Sequence, residues 1–112
     1  PSSPAARHII NADVIARMKP GAVIVNTARG MLVDENALCE GLKSGHLGGA
    51  GLDVFETEPP KPDNPLLLLP NVVVTPHIAG GTRDAFQTKM RAIFDNITRF
   101  YSGRELKNQV EL

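Results

Sequence analysis

The chain of 112 residues contains a single cysteine, Cys39, so an internal disulfide is excluded. Cys39 falls in a segment that reads as a helix, flanked by Leu38 and Leu42, which fits a reducing, cytoplasmic setting. No histidine or second cysteine stands near it in sequence, so neither a reactive thiol nor a metal site is expected there. An excess of either charge is also missing: Lys and Arg total 12, Asp and Glu total 12, and the net charge is zero. With no block of like charge, nothing points to nucleic acid or to an anionic membrane surface. Apolar runs are short. The run 66–69 falls far below the roughly 20 residues that a membrane span needs, and no stretch reads as a signal peptide. There is no internal repeat and no low-complexity segment.

What the chain does contain is an alternation of short apolar runs and helical patterns. Its length suits one compact domain, since domains commonly run about 100 to 150 residues. Prolines 1 and 4 are expected to keep the opening extended. Asn11 is a good N-cap for a helix over 12–18, which Pro20-Gly21 ends. The β-branched run 22–25 predicts a strand buried on both faces. Asp34 caps a second helix carrying Ala37, Leu38 and Leu42 on one stripe, with Gly45 as its stop. A glycine-rich second strand is expected within 47–54, where Gly48, Gly49 and Gly51 let a backbone or a ligand come close.

Four prolines make 56–65 a loop, and Asn64-Pro65 opens one helical turn through Leu69. A third strand covers 72–75 and stops at Pro76. Thr82 then caps the longest helix, about 83–101, with Phe86, Met90, Ile93, Ile97 and Phe100 spaced for one face, and Gly103 closes it. This order predicts an α/β fold with a parallel, helix-covered sheet.

Three polar residues fall where strands end and loops begin, which is where open α/β sheets place their ligands. Arg29 follows Val25-Asn26-Thr27-Ala28, and its planar fork could hold the carboxylate and polarise the carbonyl of a 2-oxo acid. The alternative is a surface arginine paired with Asp34 or Glu35. His77, in Thr75-Pro76-His77-Ile78-Ala79-Gly80, carries an imidazole suited to giving a proton to a carbonyl oxygen and retrieving it. A histidine there is equally a hydrogen-bonded loop residue, and His8 and His46 read as surface residues. Glu58, in Gly51-Leu52-Asp53-Val54-Phe55-Glu56-Thr57-Glu58-Pro59, could accept a hydrogen bond from His77 if its loop folds back over the strand ends. Glu56 competes for that place. Asp53 could accept from a cofactor amide or hydroxyl, or could be a turn residue at a strand end. The glycines of 45–51 do not read G-x-G-x-x-G and lead from helix to strand, so the dinucleotide fingerprint is absent.

Taken together, these three frames resemble the D-isomer-specific 2-hydroxyacid dehydrogenases over essentially all of residues 1–108, including Val33-Asp34 and Asn71-Val72 at their places between the frames. The resemblance implies the second half of a Rossmann-like dinucleotide-binding domain, with the cofactor NAD, and NADP not excluded. It implies Arg29 as the substrate-binding arginine, His77 as the acid/base and Glu58 as its carboxylate partner. Asp53 would face the nicotinamide, and Thr27, Ala28, Arg29, His77 and Gly80 would line the same pocket. The substrate would be a 2-oxo or 2-hydroxy acid.

The resemblance also implies that a substrate domain and the first half of the nucleotide domain lie upstream of Pro1. The chain is therefore expected to be a fragment that needs the remainder of its own chain, binds cofactor poorly and catalyses nothing alone. Its bared sheet edge is expected to favour a homodimer. Three rival readings stand beside this one. The first is an NAD(H)-sensing binding protein of the corepressor kind, in which the polar trio is retained. The second is a formate dehydrogenase, against which Glu58 argues because that pattern places glutamine there. The third is a small free-standing domain without catalysis.

Overall fold

The computed structural model describes residues 4–109, which fall into two compact units that meet between Ala79 and Gly80 in sequence. Each is described by itself.

The first unit is built on a parallel three-stranded sheet, β1 (Ala22–Asn26), β2 (Leu47–Leu52) and β3 (Val72–Val74), in the order β1-β2-β3. Helix α1 (Ala12–Ala16) precedes β1, helix α2 (Glu35–Lys43) connects β1 to β2, and a 3₁₀ turn, Pro65–Leu68, precedes β3. Parallel strands need such crossovers, and the alternating sequence pattern supplies them. The caps sit where the sequence puts them. Asn11 accepts from the Val14 amide, Asp34 accepts from the amides of Asn36 and Ala37, and Asn64 accepts from the Leu66 amide. Gly45 leaves α2 with φ of 75°, a left-handed conformation that glycine takes without steric cost.

Leu38, Cys39 and Leu42 of α2 bury themselves against Leu47, Ala50 and Leu52 of β2, with Ile15, Val33, Phe55 and Leu66 closing the same core. Ala22, Ile24 and Val72 reach that core from the sheet. Val23 and Val25, which alternate with them, remain 64% and 68% exposed. The expectation that β1 is buried on both faces is therefore wrong for this unit: side chains alternate along a strand, and α2 with the 3₁₀ turn covers one face only.

Other differences are local. The segment expected to be extended forms a 3₁₀ turn at Pro4–Ala6, while Pro1, Ser2 and Ser3 lie outside the described residues. α1 ends at Ala16, two residues early, with Arg17 as its C-cap. β2 stops at Leu52 and β3 at Val74, short of the expected 54 and 75. His8 and His46 are half-buried rather than on the surface: His46 bonds the Ile15 carbonyl at 2.9 Å, and His8 bonds Glu56 at 3.0 Å. The close approach at the β2 glycines is by backbone. A Cβ on Gly48 would meet the Gly21 carbonyl oxygen, and one on Gly49 the Asn71 carbonyl oxygen.

The second unit is the helix α3 (Arg83–Tyr101) and the segment after it. Thr82 caps the helix at the Ala85 amide, and Gly103, with φ of 64°, turns the chain back. Asp95 receives Arg99 at 3.0 Å and Lys107 at 3.1 Å, while the Asn96 side chain bonds both the amide and the carbonyl of Lys107. No described helix is long and apolar enough to cross a membrane.

Candidate active site

Because the strands are parallel and in register, their carboxyl ends line up: Asn26 pairs with Leu52, and Leu52 with Val74. The ladder continues one step further through Asp53 N–H to the Asn26 carbonyl and Thr75 N–H to the Leu52 carbonyl. Everything that follows these ends is delivered to one edge of the sheet.

After β1, the buried Asn26 shapes the turn. Its side-chain oxygen accepts from the Ala28 amide at 3.1 Å and its amide group donates to the Arg29 carbonyl at 2.9 Å, an Asx-type turn that leaves Thr27, Ala28 and Arg29 exposed. Arg29 pairs with neither Asp34 nor Glu35. Its guanidinium donates to the Ala28 carbonyl, and its charge reaches Glu58.

After β2, Asp53 is 4% exposed, yet it carries a charge with partners for it. One carboxylate oxygen accepts from the Thr75 hydroxyl and from the Ile78 amide at 2.9 Å, and the other accepts from the Ala79 amide at 2.9 Å. The Thr75 hydroxyl bond, followed by the two amides, outweighs the opposing effect of burial and holds the carboxyl below the ordinary aspartate range. Asp53 thereby binds the chain on both sides of one residue in the loop after β3.

That residue is His77. Its amide donates to the Asp53 carbonyl at 3.0 Å and to the Thr75 carbonyl at 3.1 Å, and its φ is 54°. A left-handed conformation is uncommon for a side chain of this size and costs free energy, which the Asp53 bonds on either side offset. The loop after β2 folds back over the strand ends, and its Glu58–Pro59 peptide bond is cis. Glu58 Oε2 accepts from His77 Nδ1 at 2.7 Å, and Glu58 Oε1 accepts from the Phe55 amide at 3.1 Å. The His77 bond first, then the Phe55 amide, holds the Glu58 carboxyl below the ordinary glutamate range. An ionised Glu58 accepts at Nδ1, so Nδ1 carries a proton and Nε2 is the nitrogen free to give or take one.

A cavity of about 340 Å³ opens beside the pair, lined by Phe55, Pro59, Val74 and Pro76 together with the polar Asp53, Glu58, Thr75 and His77. Glu56, the competing carboxylate, does not face His77. It is bound by Arg7 and His8 instead. Gly80 belongs to the second unit, where its carbonyl accepts from Lys89. Sequence reasoning did not single out Asn26 or Thr75. An Asx residue at a strand end and a hydroxyl two residues before the histidine were the signals available for them.

The donor set is one of proton transfer and anion binding. Among the described residues, no cluster of His, Cys, Asp and Glu could hold a metal ion. The model of the D-isomer specific 2-hydroxyacid dehydrogenase NAD-binding domain matches residues 1–79. The chain is 47% identical over its whole length to a D-3-phosphoglycerate dehydrogenase of Methanocaldococcus jannaschii, covering 21% of that protein. It is 44% identical over 99% of its length to a glycerate dehydrogenase of Methylorubrum extorquens, covering 36% of it. A D-isomer specific 2-hydroxyacid dehydrogenase from Xanthobacter autotrophicus Py2, solved in complex with NADPH and MES, superposes with a TM-score of 0.86 at 42% identity, over 99% of this chain and 45% of that one. The chain thus spans about a fifth to a third of the curated relatives' length. With a parallel sheet of Rossmann type whose carboxyl edge gathers an arginine, a glutamate and a histidine, it belongs to the D-isomer specific 2-hydroxyacid dehydrogenase family, through the NAD-binding domain.

Proposed function

We propose that this chain is the second half of the nucleotide domain of an NAD-dependent oxidoreductase that interconverts D-2-hydroxy acids and 2-oxo acids. The observation that carries the reading is the 2.7 Å bond between His77 Nδ1 and Glu58. In the reducing direction His77 holds at Nε2 the proton that the carbonyl oxygen receives, and in the oxidising direction it takes that proton back. Glu58 fixes the tautomer and stabilises the imidazolium. Arg29 binds the substrate carboxylate through its two-pronged fork and stabilises negative charge as it develops on the oxygen.

A nicotinamide dinucleotide, when bound, supplies or accepts the hydride. The residues fit such a group: Thr27 and Ala28 are exposed at the sheet edge, and Asp53 uses three of about four acceptor positions, which leaves one for an amide N–H. The chain by itself has no glycine fingerprint, so alone it turns over nothing. We also propose that the isolated chain pairs with a second copy, since among the described residues β1 pairs on one side only and Val23 and Val25 are exposed, and that the protein is cytoplasmic, a setting that its single buried cysteine suits.

The test is to assay the 112-residue chain, and the longest natural polypeptide that contains it, with NADH or NADPH and a panel of 2-oxo acids. Oxidation of the reduced cofactor by the longer protein and none by the short chain is expected. Absence of turnover by the longer protein with every 2-oxo acid, at saturating cofactor, overturns the reading.

A further inference from the structure

The loop that carries Glu58 is poorly equipped to hold itself. Pro59, Pro60, Pro62 and Pro65 have no backbone N–H, and within the loop the Asn64 amide, donating to the Lys61 carbonyl at 3.0 Å, makes a single backbone turn. Its shape must come from elsewhere, and one side chain bonds both of its ends.

Glu35 stands in the first turn of α2, next to the residue that caps that helix. Its Oε1 accepts from the Glu56 amide at 2.6 Å, and its Oε2 accepts from Asn64 Nδ2 at 2.9 Å. The two oxygens of one carboxylate thus grip the two ends of the loop. Asn64 in turn caps the 3₁₀ turn through its other side-chain atom, at the Leu66 amide. Glu56 completes the frame from its side. Its carboxylate accepts from Arg7 at 2.9 Å, faces His8 Nε2 at 3.0 Å and accepts the Glu35 amide at 3.4 Å. Helix α2 gives the grip a fixed base, because Leu38, Cys39 and Leu42 anchor it in the core. Asp34 already satisfies the helix amides, so Glu35 is not needed as the cap.

We propose that Glu35, backed by Glu56, is a positioning residue for the site: it brackets residues 56–64 so that the Glu58 carboxylate stands at His77. The consequence for catalysis rests on the dehydrogenase reading, whereas the bracket itself does not. Charged donors and acceptors in such short bonds hold geometry better than neutral ones, and misplacement by about 1 Å can cost about 10²-fold in rate.

The experiment uses the 112-residue chain labelled for NMR, with E35A, E35Q and N64D. N64D keeps the cap on the 3₁₀ turn but replaces the donor with an oxygen that repels Glu35. Two signals are followed: the pH titration of the Glu58 side-chain carboxyl and the Nδ1–H resonance of His77. In the parent chain Glu58 is expected to titrate below the ordinary glutamate range, since His77 and the Phe55 amide bond its carboxylate. In E35A and N64D the titration should move up toward that range and the Nδ1–H signal should broaden or vanish, while amides of β1 and β2 keep their positions. E35Q, which retains one acceptor oxygen, should fall between. Unchanged Glu58 and His77 signals in E35A and N64D overturn the proposal. So does loss of the β1 and β2 amides in both, because Glu35 would then be holding the fold and not the loop. A bracket that behaves as expected, in a protein that reduces no 2-oxo acid, would separate failure of the functional reading from failure of this one.

Discussion

Gly30 lies against the backbone of Phe55 so closely that a Cβ on residue 30 would overlap the Phe55 carbonyl group and the Glu56 amide. The turn that presents Arg29 and the loop that presents Glu58 are therefore in contact through bare backbone. The Gly30→Ala substitution has no flexible side chain to push aside, so one of the two segments must shift. Overpacking of this kind costs about 1 to 3 kcal/mol and sometimes more. A lower urea midpoint for G30A, with amide shifts concentrated at residues 27–30 and 54–57, is the expected result. A stability equal to the parent would show that the two segments do not meet in this way.

Asp53 predicts a pH dependence whose sign follows from its partners. The Thr75 hydroxyl, then the Ala79 and Ile78 amides, lower its carboxyl in the folded chain relative to the ordinary value of 3.8. A group depressed on folding contributes stability that is complete above its unfolded value and lost as pH falls through its folded value. The segment 77–79 should therefore stay held through mild acid and release only below the ordinary aspartate range. Thr75→Val keeps the branched shape and removes the hydroxyl, so the release should move to higher pH. Following the Ile78 and Ala79 amides by NMR against pH checks this, and a midpoint unchanged in T75V would remove the hydroxyl from the account.

The core makes a simpler prediction. Leu38 is fully buried between α2 and the sheet. Leu38→Ala should cost about 2 to 5 kcal/mol through lost burial and the cavity left behind. Because α2 is also the base on which Glu35 stands, the Glu58 titration should become less depressed in the same variant. Thermal unfolding and the carboxyl titration report the two effects separately.

What was legible in the sequence were features set by neighbours along the chain. Asn11, Asp34, Asn64 and Thr82 cap their helices because a short side chain reaches amides two or three residues on, and that is fixed by local geometry. The alternation of apolar runs gave the parallel sheet for a similar reason. The two-sided burial expected of β1 fails because Val23, Ile24 and Val25 look alike in sequence, and only the packing of α2 decides which face is covered. At the site, Arg29, Glu58 and His77 were marked by their place after strands. Which of Glu56 and Glu58 faces the imidazole depends on how a proline-rich loop returns, and that return is set by Glu35 and Asn64 across the fold. The surface place expected of His8 fails for the same reason, since its partner Glu56 is 48 positions away.

The most direct test of the proton-transfer reading is His77 itself, and the choice of substitution matters. With φ of 54°, residue 77 sits in a region that asparagine tolerates better than most side chains, so His77→Asn removes the imidazole while sparing the backbone. Its amide bonds to Asp53 and Thr75 should survive. In the longer protein, kcat for 2-oxo acid reduction should fall by about 10²- to 10⁴-fold, the range expected when a positioned acid is lost. Glu58→Gln should lower kcat by less, because the imidazole remains and loses only the carboxylate that fixes its tautomer. Arg29→Lys keeps the charge but not the planar fork, so its main effect should be a raised KM for the acid substrate. Equal kcat for H77N and the parent would remove His77 from the chemistry, whatever became of the other two.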